Sequence, residues 1–201
     1  MRINLPTALT WARILLIPLF VGVFYAPDDW LSGMQRNVIA TALFVAAAVT
    51  DWFDGYLARR LGQTSAFGAF LDPVADKLMV AASLVVLVHL GRVDGILAFI
   101  IIGREIAISA LREWMAVIGA GKSVAVSLAG KIKTIAQMVS IPMLLFHGVL
   151  AGIDMQVAGT LLLLVAAFLT LWSMVYYLRR AWPYLSAGAT PGVPHPGGKA
   201  H

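Results

Sequence analysis

The sequence contains no cysteine, and this absence excludes disulfide bonds, thiolate catalysis and cysteine-ligated metal sites. Charged residues are scarce as well, at 12% of the chain, where soluble domains carry about 25%. The four histidines, at positions 89, 147, 195 and 201, do not have the spacing of metal ligands. Thiol chemistry is therefore excluded, a histidine metal site is not indicated, and the low charge points to an apolar environment.

Apolar residues make up 60% of the 201 residues, and the mean hydropathy is +0.86. The first apolar segment is too long to be the core of a signal peptide, so we interpret it as an uncleaved membrane helix. Most of the apolar segments reach the ~20 residues that a helix needs to cross a bilayer. We predict an all-α integral membrane protein with six transmembrane helices, at approximately 6–26, 37–61, 67–90, 95–118, 125–149 and 155–181.

The end of the sixth apolar segment closes the predicted membrane domain, 1–182. This segment ends with Tyr176, Tyr177, Arg179 and Arg180, a combination typical of an aromatic and basic anchor at the membrane interface. The remaining residues, 183–201, contain four prolines, four glycines and few apolar residues. This composition predicts a disordered C-terminal tail.

The net charge of +5 is distributed unevenly along the chain. On one side of the predicted helices, the only basic loop residues are Arg36 and Arg92, which lie beside Asp28, Asp29 and Asp94. Because basic residues collect in cytoplasmic loops, this asymmetry predicts that both termini face the cytoplasm, and it argues against nucleic acid as a partner. The basic residues on the predicted cytoplasmic side are Arg2, Arg59, Arg60, Lys122, Arg179 and Arg180.

Four aspartates lie within the second and third apolar segments. Each would cost about 2.5–3.5 kcal/mol at the centre of a membrane helix, so cations must lie among them. Asp51 and Asp54 share one helix face, as do Asp72 and Asp76. If the helices fold back on each other at the turn 60–65, Asp54 comes level with Asp72 and Asp51 with Asp76. Four converging carboxylates are ligands that suit Mg²⁺ or Mn²⁺.

Small residues on the same faces leave room for a substrate beside the predicted metal site. They are Gly55, Ala58 and Gly68, and Arg59 adds a planar cation suited to phosphate oxygens. The pattern indicates a magnesium-dependent site for a phosphate ester. The third helix either begins at Asp72, as the N-cap before a proline, or begins near residue 65 and kinks at that proline.

The first, fourth and fifth segments add polar residues to the predicted cleft. Thr10 and Arg13 share a face of the first helix, although Arg13 is equally consistent with a side chain that reaches to the membrane interface. Arg104 and Arg112 are eight residues apart, on one face of the fourth helix, and the fifth helix carries Lys131 and Lys133. Some of these cations must pair with Glu105 and Glu113, but as a group they favour a pocket for an anionic second substrate.

The spacing D-x2-D-G-x2-A-R-x8-G-x3-D-x3-D, from Asp51 to Asp76, resembles the signature of the CDP-alcohol phosphatidyltransferase family at all eight fixed positions. The stretches 102–106, 109–114 and 130–134 are similar to the phosphatidylglycerophosphate synthase branch of that family. The resemblance runs from residue 4 to about residue 177. It implies a bacterial enzyme of the cytoplasmic (inner) membrane whose active site faces the cytoplasm, and it leaves a homodimer open.

The resemblance further implies transfer of a phosphatidyl group from CDP-diacylglycerol to sn-glycerol 3-phosphate, with release of CMP. Two Mg²⁺ ions would be held by Asp51, Asp54, Asp72 and Asp76, and Asp76 would also act as general base. The residues that would bind CDP-diacylglycerol are Thr10, Gly55, Ala58, Arg59, Ser65 and Gly68. The residues that would hold the phosphate of the acceptor are Arg104, Arg112, Lys131 and Lys133.

Two other functions fit parts of the pattern. Within the family, the acceptor could be inositol phosphate, serine or phosphatidylglycerol, because the metal motif does not distinguish among them. The basic residues of the fourth and fifth helices disfavour serine.

A divalent-cation transporter is the alternative from another class, but such proteins often carry matching sites in repeated halves. Here the acids lie in the first half of the chain and most of the cations in the second.

Overall fold

The computed structural model describes residues 5–61, 66–120 and 128–186. Six long helices and one short hairpin form the regular structure of this part of the chain. The predicted number and order of helices are confirmed. The elements are α1 Leu5–Val23, α2 Gly33–Leu61, α3 Ala66–His89, α4 Gly95–Val117, α5 Leu128–Phe146, β1 Val149–Leu150, β2 Ile153–Asp154 and α6 Met155–Ser186.

The start of α3 and the end of α6 bear on two predictions. α3 begins at Ala66 and contains Pro73, so of the two predicted starts the earlier one is confirmed and the start at Asp72 is wrong. α6 continues to Ser186, with Pro183 inside it, beyond the predicted domain end at 182. The rest of the predicted tail, from residue 187, lies outside the described residues.

The connection between α5 and α6 contains a small hairpin that the apolar pattern did not predict. β1 pairs with β2 antiparallel, with Val149 opposite Asp154 and Leu150 opposite Ile153. The two loop residues, Ala151 and Gly152, both have positive φ, of 52° and 81°. This is the backbone of a type I′ turn, which matches the twist of the paired strands.

The helices pack around one main core. α1 lies against α2 and α3, α5 lies against α2 and α6, and α4 lies against α6. All six helices contribute buried side chains to this core, including Phe20, Phe44, Leu84, Ile101, Leu144 and Leu163. A second, smaller cluster joins α4 to α6 and consists of Ile108, Met115, Tyr177 and Ala181.

Arg92, in the connection between α3 and α4, ties together one end of the bundle. Its guanidinium donates to the carbonyl oxygens of Leu144 (3.1 Å) and Leu145 (2.8 Å) and to Oδ1 of Asn37 (2.8 Å). Arg92 therefore satisfies carbonyl groups in the last turn of α5 that have no partner within the helix. Arg36, the other arginine that was predicted in these loops, lies in the first turn of α2, where it pairs with Asp28 at 2.6 Å and donates to the carbonyl oxygen of Ala26 at 2.8 Å.

Large apolar side chains also cover the outside of the bundle. Within the described residues, α6 is the one helix that is both long and apolar enough to cross a membrane by length and composition, and apolar stretches at 10–23 and 132–146 are shorter. Exposed apolar side chains nevertheless occur on all six helices, among them Leu15, Val45, Val85, Phe99, Ile135 and Phe168. Six membrane crossings therefore stay a prediction.

Gly159 marks the closest approach of α6 to α5. A Cβ at this position would lie 2.9 Å from Cγ of Leu144 and 3.2 Å from Cβ of Met143. Such overpacking typically costs about 1–3 kcal/mol. We therefore expect Gly159→Ala to lower the free energy of unfolding, measured by thermal unfolding of the purified protein in detergent.

Gly22 provides the matched control for this substitution. It also lies in a helix, but a Cβ there would meet nothing within 4 Å. Replacing glycine by alanine in a helix is otherwise stabilising by about 0.5–1 kcal/mol. The two variants should therefore move the unfolding temperature in opposite directions. Equal changes would show that the α5–α6 contact tolerates a methyl group.

Candidate functional site

A cavity of about 550 Å³ lies among α3, α4, α5 and α6. Its lining combines acidic and basic residues from three helices. The lining residues of α3 include Asp76, the position to which the aspartate motif leads. The charged lining residues are Asp76, Lys77, Arg104, Glu105, Arg112, Glu113 and Lys133. The structure thus places Asp76 and three of the four predicted acceptor-binding cations around one space.

Asp76 also lines a second, much smaller cavity, together with Asp51. This cavity measures about 10 Å³, close to the space of a single water molecule. The prediction that Asp51 of α2 comes level with Asp76 of α3 is therefore confirmed. Asp76 connects the two cavities, since its side chain contributes to the walls of both.

Arg13 of α1 is the cation that compensates Asp51. Its Nη1 donates to Oδ1 of Asp51 at 2.6 Å, and the arginine side chain is only 2% exposed. Of the two interpretations of Arg13, the cleft position is therefore confirmed, and the position at the membrane interface is wrong. The aspartate side chain remains 46% exposed, so the ion pair does not enclose it.

The described acids fit a divalent cation in chemical type. Carboxylate oxygens are the ligands that Mg²⁺ takes in proteins, and a ligating carboxylate usually accepts an additional hydrogen bond, as Asp51 does from Arg13. Among the side chains that the structure describes, no group of three or more metal-ligating residues comes together. The other two predicted ligands, Asp54 and Asp72, lie in α2 and α3, but their side chains are not among those described.

Glu105 pairs with two of the cations that line the main cavity. Its Oε2 accepts from Nζ of Lys133 at 2.5 Å and from Nη1 of Arg104 at 3.2 Å. The side chains of Lys133 and Arg104 are only 4% and 6% exposed. The expectation that some of the cations pair with a glutamate is therefore confirmed for these two residues.

Arg104 also contacts α6, a helix to which the sequence analysis assigned no part in the site. Its Nη2 donates to Oγ of Ser173 at 2.7 Å, and its guanidinium carbon lies 6.0 Å from the ring centre of Tyr177. Tyr177 is 2% exposed, so its interpretation as an interfacial anchor is wrong. Tyr177 instead lies under Arg104 as a cation–π partner and lines the main cavity.

Arg112 differs from Arg104 and Lys133 in its charge environment. It is exposed and lines the same cavity from one helical face of α4, as the eight-residue spacing predicted. Within the described part of the chain, no carboxylate lies within 4 Å of its guanidinium nitrogens. Glu113, which also lines the cavity, is exposed and forms no described ion pair either.

Two further lining residues were not assigned to the site from the sequence. Lys77 follows Asp76 in α3, and its Nζ donates to Oγ of Ser109 in α4. Ser109 lies four residues after Glu105 and three before Arg112, so helical spacing alone places it on the same face. That spacing was the available signal for Ser109.

The predicted binding site for CDP-diacylglycerol falls largely outside the described side chains. Thr10 is buried in α1. Lys131, of the predicted acceptor site, lies in α5 and its side chain is likewise not described. Ser65 lies outside the described residues, and the remaining residues, whose helical backbone alone is described, are Gly55, Ala58, Arg59 and Gly68.

Comparison with known proteins shows similarity along most of the chain. A model of the CDP-alcohol phosphatidyltransferase family matches residues 3–176. A protein of Escherichia coli (strain K12) named CDP-diacylglycerol–glycerol-3-phosphate 3-phosphatidyltransferase is 52% identical over 184 residues, which cover 90% of this chain and 96% of the relative. Relatives with the same name from Yersinia enterocolitica and Salmonella typhimurium are 51% and 50% identical, over 90% of this chain and 97% and 96% of their own lengths.

We expect the loss of the Glu105 carboxylate to destabilise the protein. Glu105→Gln leaves Arg104 and Lys133 enclosed without the charge that compensates them. Breaking a buried pair costs about 3–5 kcal/mol, and the partial exposure of Glu105 favours the lower end. The measurement is the thermal unfolding temperature in detergent, compared with wild type.

Glu113→Gln is the matched control, because it makes the same change at an exposed position of the same cavity. Exposed substitutions of this kind usually change stability by less than about 0.5 kcal/mol. If both glutamine variants unfold at the wild-type temperature, the charge compensation by Glu105 contributes nothing to stability.

Proposed function

The chain belongs to the CDP-alcohol phosphatidyltransferase family, and we propose that it transfers a phosphatidyl group from CDP-diacylglycerol to sn-glycerol 3-phosphate, with release of CMP. The product, phosphatidylglycerophosphate, belongs to phospholipid biosynthesis. Relatives that are 50% and 52% identical, over 90% of the chain, carry names that state this pair of substrates.

One observation of the structure carries the proposal. Asp76, the last residue of the family motif, lines a cavity of about 550 Å³ that is also lined by Arg104, Arg112 and Lys133. A carboxylate at one side of such a space is suited to take a proton from a hydroxyl group. The cations that line the same space are suited to an anionic phosphate. Glycerol 3-phosphate carries both groups in one small molecule.

The proposed reaction is a displacement at phosphorus in which residues that line the cavity take part. A hydroxyl oxygen of glycerol 3-phosphate attacks the phosphorus that bears the diacylglycerol, and a new P–O bond forms. The P–O bond to the phosphate of CMP breaks, and CMP leaves with the electron pair of that bond. Asp76 accepts the proton of the attacking hydroxyl as general base. Basic side chains hold the phosphate of the acceptor and thereby orient its hydroxyl.

Mg²⁺ is the metal that the acids fit best, with Mn²⁺ as the alternative, and two ions would be held by Asp51, Asp54, Asp72 and Asp76. When bound, the metal would neutralise the negative charge of the diphosphate and the charge that develops on the departing CMP. Arg13 supports this assignment, because its bond to Asp51 orients that carboxylate and leaves Oδ2 for other contacts.

The nucleotide and lipid parts of the donor are assigned by the family motif. Small residues would keep the surface beside the acids open, and Arg59 would supply a cation to the diphosphate. The residues proposed to bind CDP-diacylglycerol are Thr10, Gly55, Ala58, Arg59, Ser65 and Gly68. Lys131 is proposed to act on the acceptor together with the described cations of α4 and α5.

A bacterial inner-membrane protein with six crossings and both termini in the cytoplasm is the arrangement that we propose. Exposed apolar side chains on all six helices support it, because a surface this apolar is suited to lipid. The loop charges support the same orientation. The acyl chains of the donor would then remain in lipid while the head group reaches the cytoplasmic cavity.

The direct test is a reaction with purified protein. CDP-diacylglycerol and Mg²⁺ are supplied with sn-glycerol 3-phosphate, inositol phosphate, serine or phosphatidylglycerol in separate reactions, and the lipid products are identified by mass spectrometry. We expect phosphatidylglycerophosphate from the first acceptor. A lipid product from another acceptor in its place would contradict the proposal but keep the family chemistry.

Asp76→Asn should lower kcat by about 10²- to 10⁴-fold, the usual contribution of general-base catalysis. The KM for CDP-diacylglycerol should change less than in Asp51→Asn, because we assign Asp51 to metal binding alone. Asp29→Asn, an exposed aspartate outside both cavities, is the control and should leave kcat unchanged. Equal effects of Asp51→Asn and Asp76→Asn on kcat and on donor KM would remove the separate role of Asp76.

Arg112→Ala should raise the KM for glycerol 3-phosphate by about 10- to 100-fold, as expected for one hydrogen-bonded contact to a charged group. The KM for CDP-diacylglycerol should stay near its wild-type value, since Arg112 is assigned to the acceptor. Arg180→Ala is the control, because Arg180 is an exposed arginine over the ring of Tyr176 and does not line the cavity. A KM change confined to the lipid donor would move Arg112 to the nucleotide side.

A further inference from the structure

Lys77 is a basic residue of the main cavity that the proposed reaction does not yet use. It follows Asp76 in α3, and its ammonium group donates a hydrogen bond to the hydroxyl of Ser109 in α4. Both residues line the cavity that also contains Asp76, Arg112 and Lys133. The hydrogen bond between Lys77 and Ser109 therefore joins α3, which carries the proposed general base, to α4, which carries Arg112.

The partner of Lys77 distinguishes it from the two enclosed cations. Arg104 and Lys133 share the carboxylate of Glu105. In the part of the chain that the structure describes, the partner of Lys77 is a neutral hydroxyl, and no ion pair is formed. A lysine ammonium has three donors, and Ser109 accepts one of them. Lys77 therefore retains both positive charge and donors for an anion in the cavity.

The apolar groove beside Lys77 gives the carbon chain of this lysine a surface to lie against. Lys77 also lines an apolar groove of about 180 Å³ between α3 and α4, together with Leu78 and Ile102. Lysine commonly buries its carbon chain along an apolar surface and keeps the charged end in a polar environment. Lys77 borders both environments, because it lines both the groove and the main cavity.

The main cavity brings Asp76 and Lys77 to one space. Both residues line it, and its volume of about 550 Å³ is large enough for a small acceptor molecule. In glycerol 3-phosphate, a short carbon chain separates the phosphate from the attacking hydroxyl. A hydroxyl held at Asp76 therefore places the phosphate within the reach of a neighbouring lysine side chain.

We propose that Lys77 binds the phosphate of the acceptor and that Ser109 holds its ammonium group when no phosphate is present. This inference rests on the proposed function and adds a residue that determines specificity for a phosphorylated alcohol. The ammonium exchanges a neutral acceptor for a dianion, which adds the attraction of opposite charges to the hydrogen bond. Binding of the phosphate is thus favoured over the resting contact.

The experiment compares Lys77→Gln, Lys77→Arg and Ser109→Ala in the purified full-length protein, with each substrate varied in turn. Lys77→Gln should raise the KM for glycerol 3-phosphate by about 10- to 100-fold and leave the KM for CDP-diacylglycerol within twofold. Lys77→Arg should restore part of this loss. Ser109→Ala should lower the KM for glycerol 3-phosphate, because the ammonium then has no hydroxyl to leave.

Ser83→Ala is the matched control for the serine variant. Ser83 lies in α3, its hydroxyl donates to the carbonyl of Met79, and it is outside the cavity. Its KM values should equal those of wild type. An unchanged KM for glycerol 3-phosphate in Lys77→Gln, or an equal rise for both substrates, would overturn the inference. A rise in Ser109→Ala as large as in Lys77→Gln would overturn the resting role of Ser109.

A binding measurement separates this inference from the proposed function. Inorganic phosphate should raise the unfolding temperature of the wild-type protein, because a ligand that binds the folded state stabilises it. The increase should be smaller in Lys77→Gln and larger in Ser109→Ala. Equal increases in all variants would overturn the inference even if phosphatidylglycerophosphate is formed. If no such lipid is formed but phosphate protection depends on Lys77, the proposed function fails and the anion site remains.

Discussion

The carboxylate of Glu105 lies between two cations that the protein encloses almost completely, Arg104 and Lys133. An isolated charge in so apolar a bundle is strongly disfavoured, and a charge with a partner is tolerated. Because Glu105 and Arg104 belong to α4 and Lys133 to α5, their compensation also links these two helices. Arg104 and Lys133 are also two of the basic residues that line the large cavity beside Asp76.

The site depends on every helix of the bundle, although its signature lies in two of them. α1 holds Asp51 of α2 through Arg13, and α6 supports Arg104 of α4 through Ser173 and Tyr177. The packing of α6 is in turn fixed by the close approach of Gly159 to α5. Stability and function are therefore coupled through helix packing, and a residue remote from the acids can change the cavity.

Much of the fold and part of the site could be predicted from the sequence, because apolar length and helical period are local properties. They located the six helices and brought Asp51 level with Asp76. The partners of Arg13 and Lys77, and the partners of Arg104 in α6, could not be predicted in the same way. Each contact joins two helices, and it depends on the rotation and crossing angle of both, which the period of one helix does not fix. The hairpin 149–154 was too short to give a pattern.

The distribution of charge in the cavity separates two physical requirements. The protein must be stable when no ligand is bound, and enclosed cations meet that requirement only if a carboxylate compensates them, as Glu105 does for Arg104 and Lys133. An anionic substrate, however, needs positive charge that is not already compensated. Lys77 and Arg112 carry such charge, at positions that are less enclosed than those of the two compensated cations. The same cavity can therefore be stable without its substrate and still attract a phosphate.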